Sequence, residues 1–89
     1  MFKNKTSSGR NNICGERIYE LRKAHVPKMS QRILAEKMQI HGIDLDKNAI
    51  QRIESGERFV TDIELKALAK IFDISIDSLL DSLDTQANK

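Results

Sequence analysis

Four times along the chain an apolar residue precedes a Ser, Thr or Asp, and another apolar residue follows four positions after it. The triplets are Met29-Ser30-Leu34, Leu45-Asp46-Ile50, Val60-Thr61-Leu65 and Ile74-Ser75-Leu79. A side-chain oxygen in the middle position accepts a backbone amide left unpaired in a helix's first turn, while the apolar pair fixes the entry of the chain. Each triplet therefore predicts a helix start, and Thr61 with Glu64 adds a reciprocal capping box. Apolar residues continue at helical spacing behind the starts: Leu34, Ala35, Met38; Ile50, Ile53; Leu65, Leu68, Ala69, Phe72; Leu79, Leu80, Leu83. An earlier stripe at Ile13, Cys14, Ile18 and Leu21 predicts one more helix, ending near His25 where Val26-Pro27-Lys28 interrupts it. No run alternates with period two, so no strand is expected. The prediction is five helices and an all-α fold.

Residues 1–11 are polar and aperiodic and read as a flexible basic arm. The domain is expected over 12–83, with a short tail at 84–89. A chain of 89 residues allows one small domain, which buries roughly 60% of the surface its unfolded form exposes. The single cysteine, Cys14, excludes an internal disulfide, sits on the first apolar stripe, and fits a reducing, cytoplasmic setting. No stretch approaches the ~18 apolar residues of a membrane span, and the opening residues lead into no signal-peptide core.

Charge changes the picture more than composition does. The net charge is only +2, yet residues 1–37 carry +6 and residues 38–89 carry −4. The first half attracts polyanions, and the second is available to a different partner.

The third predicted helix begins at Asp46 and places Lys47, Asn48, Gln51 and Arg52 opposite Ile50 and Ile53. Arg or Lys can bond guanine O6 and N7, and Asn or Gln can bond adenine N6 and N7. These residue types on one exposed helical face point to base edges in the DNA major groove, against the plainer reading of a solvated polar face. Gln31 follows the Ser30 cap, where free amides and the helix dipole favour a phosphate. Lys28, Arg58, and Arg10 with Lys3 and Lys5 in the arm, are further phosphate candidates. His25 and His41 have no Cys or His at ligand spacing, so no metal is expected. No nucleophile–base set, carboxylate pair or phosphate-cradling glycine loop is present. Neither catalysis, a cofactor nor a small-molecule ligand is predicted.

In order and spacing, the motifs Ile18-Tyr19-Glu20-Leu21-Arg22, Ser30-Gln31-Arg32-Ile33-Leu34-Ala35, Ile50-Gln51-Arg52-Ile53-Glu54-Ser55-Gly56 and Leu79-Leu80 resemble the Xre/Cro/repressor-type helix-turn-helix family. The resemblance covers roughly Ile13 to Leu80. It implies a five-helix, lambda-repressor-like DNA-binding domain acting as a bacterial or phage-type transcriptional regulator. It also implies base contacts from the third helix, a backbone-anchoring Gln31, and an Arg22–Glu54 ion pair tying the first helix to the third. A bare DNA-binding domain without a ligand-sensing partner domain is expected. Two stretches depart from the family pattern. Val26-Pro27-Lys28 lengthens the first connection, and Gln39–Leu45 replaces a short glycine turn with one about five residues longer. The second departure leaves open whether Asn48 or Gln51 meets the bases.

The resemblance further implies a homodimer on a two-fold operator, with Leu79, Leu80 and Leu83 as its expected surface. The alternative function is an antitoxin-like protein-interaction module, its partner docking on the acidic C-terminal face of Asp73, Asp77, Asp81 and Asp84.

Overall fold

Helix α1 spans Gly15–Ala24, α2 Gln31–Ile40, α3 Lys47–Ser55, α4 Asp62–Phe72 and α5 Ile76–Leu80 in the computed structural model, which describes residues 9–80. Among the described residues there is no strand, and no helix is long and apolar enough to cross a membrane. The arm residues before Gly9, including Lys3 and Lys5, lie outside the described residues. So do Asp81 and Leu83 and the expected tail from Asp84 onward.

Local chemistry sets the helix starts. Ser30 Oγ accepts from Ile33 N at 3.1 Å, Asp46 Oδ1 from Ala49 N at 2.8 Å, Thr61 Oγ1 from Glu64 N at 3.3 Å and Ser75 Oγ from Ser78 N at 3.0 Å. Glu64 returns the bond by accepting from Thr61 N, which completes the capping box. The first helix begins two residues later than the apolar stripe predicts. Asn12 Oδ1 takes Gly15 N at 2.8 Å and so turns the chain into α1 from outside it.

Helix ends are equally local. Ile43 N bonds to Met38 O and Gly42 N to Gln39 O, with Gly42 in the left-handed region at φ 83°. The same double bond closes α4, where Ile74 N reaches Ala69 O and Asp73 N reaches Lys70 O. Both are Schellman motifs.

The core is one cluster drawn from every helix: Cys14, Ile18, Leu34, Met38, Ile50, Ile53, Leu68 and Leu79 are essentially inaccessible. Helix α3 packs between α1 and α2, α4 lies on α2, and α5 bridges α4 and α1. The lengthened α2–α3 turn joins this core, because Leu45 is buried and Ile43 packs against the cluster. Leu79 also belongs to the core and Leu80 packs on it. This corrects the expectation that Leu79 lies on a dimer surface.

The N-terminus of α1 approaches the C-terminus of α3 so closely that only glycine fits at position 15. A Cβ there would collide with the Ile53 carbonyl oxygen and come within 2.6 Å of Arg10 Nη2. Because the main obstacle is backbone, Gly15→Ala is expected to destabilise the domain by about 1–3 kcal/mol, measured by urea denaturation. An unchanged midpoint would show that α1 and α3 separate freely at this crossing.

Candidate nucleic-acid interface

On α3 the residues alternate in pairs around the helix. Ala49, Ile50, Ile53 and Glu54 are buried, while Lys47, Asn48, Gln51, Arg52 and Ser55 are exposed. Positions 47, 48, 51 and 52 share a face because residues three and four apart are neighbours on a helix. The side chains of Lys47, Asn48, Gln51 and Arg52 make no hydrogen bond or ion pair among the described residues. This face carries amide and cationic groups and no carboxylate.

Beside the start of α3 opens a cleft of about 460 Å³ lined by Arg22, Lys28, Ser30, Gln31, Arg32 and Lys47. It brings together two of the predicted phosphate residues, Lys28 and Gln31, with the first turn of α2, where amides and helix dipole present positive charge. Lys47, predicted at base edges, lines the same cleft. Arg32 does too, although sequence reasoning missed it. Its side chain is well exposed and lies 3.8 Å from Glu36, a weak pairing that leaves it available to solvent. Its position two residues after the Ser30 cap was the signal that would have found it.

The floor of the cleft is a buried network. Arg22 Nε donates to Glu54 Oε2 at 2.7 Å and Arg22 Nη2 to Glu54 Oε1 at 3.0 Å, with both residues at most 9% exposed. Arg22 Nη1 also donates to Met29 O at 3.2 Å. Gln31 Nε2 donates to Glu54 Oε1 at 3.0 Å, so half of the Gln31 amide is committed inward. The Arg22 guanidinium stands 5.5 Å from the Tyr19 ring centroid, which adds a cation–π contact.

Two predicted phosphate residues sit elsewhere. Arg58 grips Glu64 with both terminal nitrogens, at 2.9 and 3.1 Å, and Nη1 also donates to Phe59 O. Burial alone would push the Glu64 carboxyl upward, but the hydrogen bonds and charge of Arg58, with the Thr61 bonds, hold it below the usual range. The buried carboxylate needs a counter-charge, and Arg58 supplies it. Arg10 departs from the expected free arm in a similar way. Its Nη2 donates to Glu54 O at 2.7 Å and its Nη1 to Ser55 O at 3.1 Å, placing a cation where a helix leaves carbonyls unpaired. Cys14 is buried, which pushes its thiol up to about 11, and it packs as a core residue. Among the described residues no group of His, Cys, Asp and Glu could hold a metal.

Removing one member of a buried pair leaves an uncompensated charge and costs about 3–5 kcal/mol, against roughly 5–15 kcal/mol for a whole domain. Arg22→Ala is expected to lose that amount in urea denaturation, and replacing Arg22 and Glu54 together by Met and Leu should recover most of it. A loss below about 1 kcal/mol for the single variant would mean that water solvates Glu54. Glu64 carries a pH dependence of known sign. Its lowered folded-state pKa stabilises the domain fully above the ordinary carboxylate value, and the gain disappears as pH falls through the lowered one. Between pH 6 and pH 3 the parent should therefore lose more stability than Glu64→Gln does. Equal losses in the two would assign the acid sensitivity to other carboxylates.

A model of the helix-turn-helix family matches residues 18–79, from the middle of α1 through α5. Compared with curated proteins and with solved structures, the chain has no significant match to either. The matched span holds the α2–turn–α3 unit, its capping residues and the Arg22–Glu54 pair. The chain belongs to the Xre/Cro-type helix-turn-helix family, a family of DNA-binding domains.

Proposed function

We propose that this protein is a sequence-specific, non-enzymatic transcriptional regulator of double-stranded DNA that reads the major groove with the exposed face of α3. The observation that carries the reading is that Asn48, Gln51 and Arg52 are exposed without internal partners, on a helix beside the cationic cleft at the start of α2. Base edges need unengaged amide and guanidinium groups, while phosphates need positive charge alongside to set register. In this reading Lys28, Gln31, Arg32 and Lys47 hold phosphates, and Asn48, Gln51 and Arg52 meet bases. Arg58, spent on Glu64, contributes to neither.

The protein acts in the cytoplasm without a cofactor, and binds a two-fold operator as a homodimer, because one short helix spans too few base pairs for a unique site. Leu79 is consumed by the core and is not available to that dimer.

Selection of bound sequences from random duplexes, followed by competition with the selected site, tests these roles separately. Asn48→Ala and Arg52→Ala should each narrow the gap between selected and random DNA by about 1–3 kcal/mol. Lys28→Ala and Arg32→Ala should weaken binding to both and flatten the log–log salt slope by about one per protomer. Arg58→Ala should leave the slope unchanged. Parallel losses in all of them, or a selected site without inverted symmetry bound by one chain, would overturn the assignment.

A further inference from the structure

Three consecutive residues ahead of α1 take up six consecutive carbonyls at the end of α3. Asn12 Nδ2 donates to Ile53 O at 3.0 Å and to Arg58 O at 2.7 Å. Arg10 covers Glu54 O and Ser55 O, as described above. Asn11 N donates to Gly56 O at 2.8 Å and Asn11 Nδ2 to Glu57 O at 2.9 Å. Residues 10–12 thus form a strap across the last turn of α3 and the loop after it. The strap is seated between two glycines. A Cβ at Gly15 would strike Arg10 and Asn12 as well as Ile53 O, and a Cβ at Gly56 would meet the Arg10 side chain at 2.7–2.9 Å.

We propose that Arg10, Asn11 and Asn12 are positioning residues of the DNA-reading helix, setting its tilt from the C-terminal end. This deepens the reading above and rests on it. At 1.5 Å per residue, Arg52 lies about 9 Å along the axis from the Asp46 cap. A tilt of about 10° around that cap would carry Arg52 sideways by roughly 1.5 Å. A bidentate base contact does not survive such a shift, since hydrogen bonds hold within a few tenths of an ångström and built sites tolerate about 0.5 Å. Lys47, next to the pivot, would hardly move, and a phosphate contact by a flexible lysine tolerates the change. Loosening the strap therefore removes discrimination at the base pair under Arg52 before it removes affinity.

The strap is also graded. Asn12 is buried and fully engaged, whereas the side-chain oxygen of Asn11 is buried without a partner among the described residues. Truncating Asn11 consequently disturbs folding less than truncating Asn12, so Asn11→Ala is the variant to use if Arg10→Ala fails to fold.

The test has two arms. Without DNA, residual dipolar couplings of α3 amides relative to those of α2 are measured in the parent and in Arg10→Ala. A changed α3 orientation is expected, and an unchanged one overturns the proposal whether or not the chain binds DNA. With DNA, at a temperature where the variants are fully folded, the ratio of selected-site to random-site affinity should fall roughly five- to a hundredfold. The fall should concentrate at one base pair, and the salt slope should stay unchanged. A uniform loss with a slope flattened by about one per protomer would return Arg10 to the phosphates. A lower melting temperature with an unchanged ratio would leave the strap as a stabilising contact only. Failure of the parent to prefer any sequence would overturn the proposed function, and the orientation measurement would still decide the strap.

Discussion

A carboxylate removed from water must find its counter-charge and hydrogen bonds inside the protein, and Glu54 finds them on two other helices. Arg22 comes from α1 and Gln31 from the first turn of α2. An unpaired charge in that position would cost several kcal/mol, so α1, α2 and α3 are held to one arrangement that satisfies all three side chains. The rest of α3 follows from helical geometry. With Ile53 and Glu54 inside, residues 51, 52 and 55 must be outside, and one turn earlier 47 and 48 must be outside with 49 and 50 within. The ion pair is buried beneath the cleft, yet it decides which side chains of α3 face outward. It also pulls one half of the Gln31 amide into the protein and fixes the side chain at the rim of the cleft.

The long α2–α3 turn would have been the place for this order to fail. Six residues separate the two helices, where a shorter glycine turn was the family expectation. The extra length is not loose, because Gly42 closes α2 in a left-handed conformation and Ile43 and Leu45 return into the core. Asp46 then caps α3 directly after Leu45. The insertion changes the path between the helices while keeping both of its ends pinned.

Most of the fold was legible in the sequence because its determinants are local. A cap, its partner three residues on and a staple four residues on lie within one turn, so the starts of α2, α3, α4 and α5 could be read from spacing alone. The exposed pairs of α3 were legible for the same reason. Part of what could not be read depends on residues brought together from more than forty positions apart. Asn12, Arg10 and Asn11 look like a polar leader until the end of α3 is placed against them, since their partners are backbone carbonyls that leave no trace in the sequence. Arg58 looked free because Glu64 already had a visible role in its capping box. Its second bond depends on the path of the loop between them. Arg32 was passed over because a polar residue in a helix's first turn is usually unremarkable.

The exposed face of α3 has a consequence for how such a domain can change over generations. Lys47, Asn48, Gln51 and Arg52 support nothing inside the protein, and the helix beneath them is secured by Asp46 at one end and by Glu54 and residues 10–12 at the other. Substitutions on that face fall in the range of ordinary surface changes, usually within about 0.5 kcal/mol of neutral. Under the proposed function, target choice and folding are therefore written on different residues of the same short helix. On that proposal a lineage can exchange Asn48, Gln51 and Arg52 repeatedly, acquiring new targets while the scaffold stays as it was, and drift in one set need not be compensated in the other.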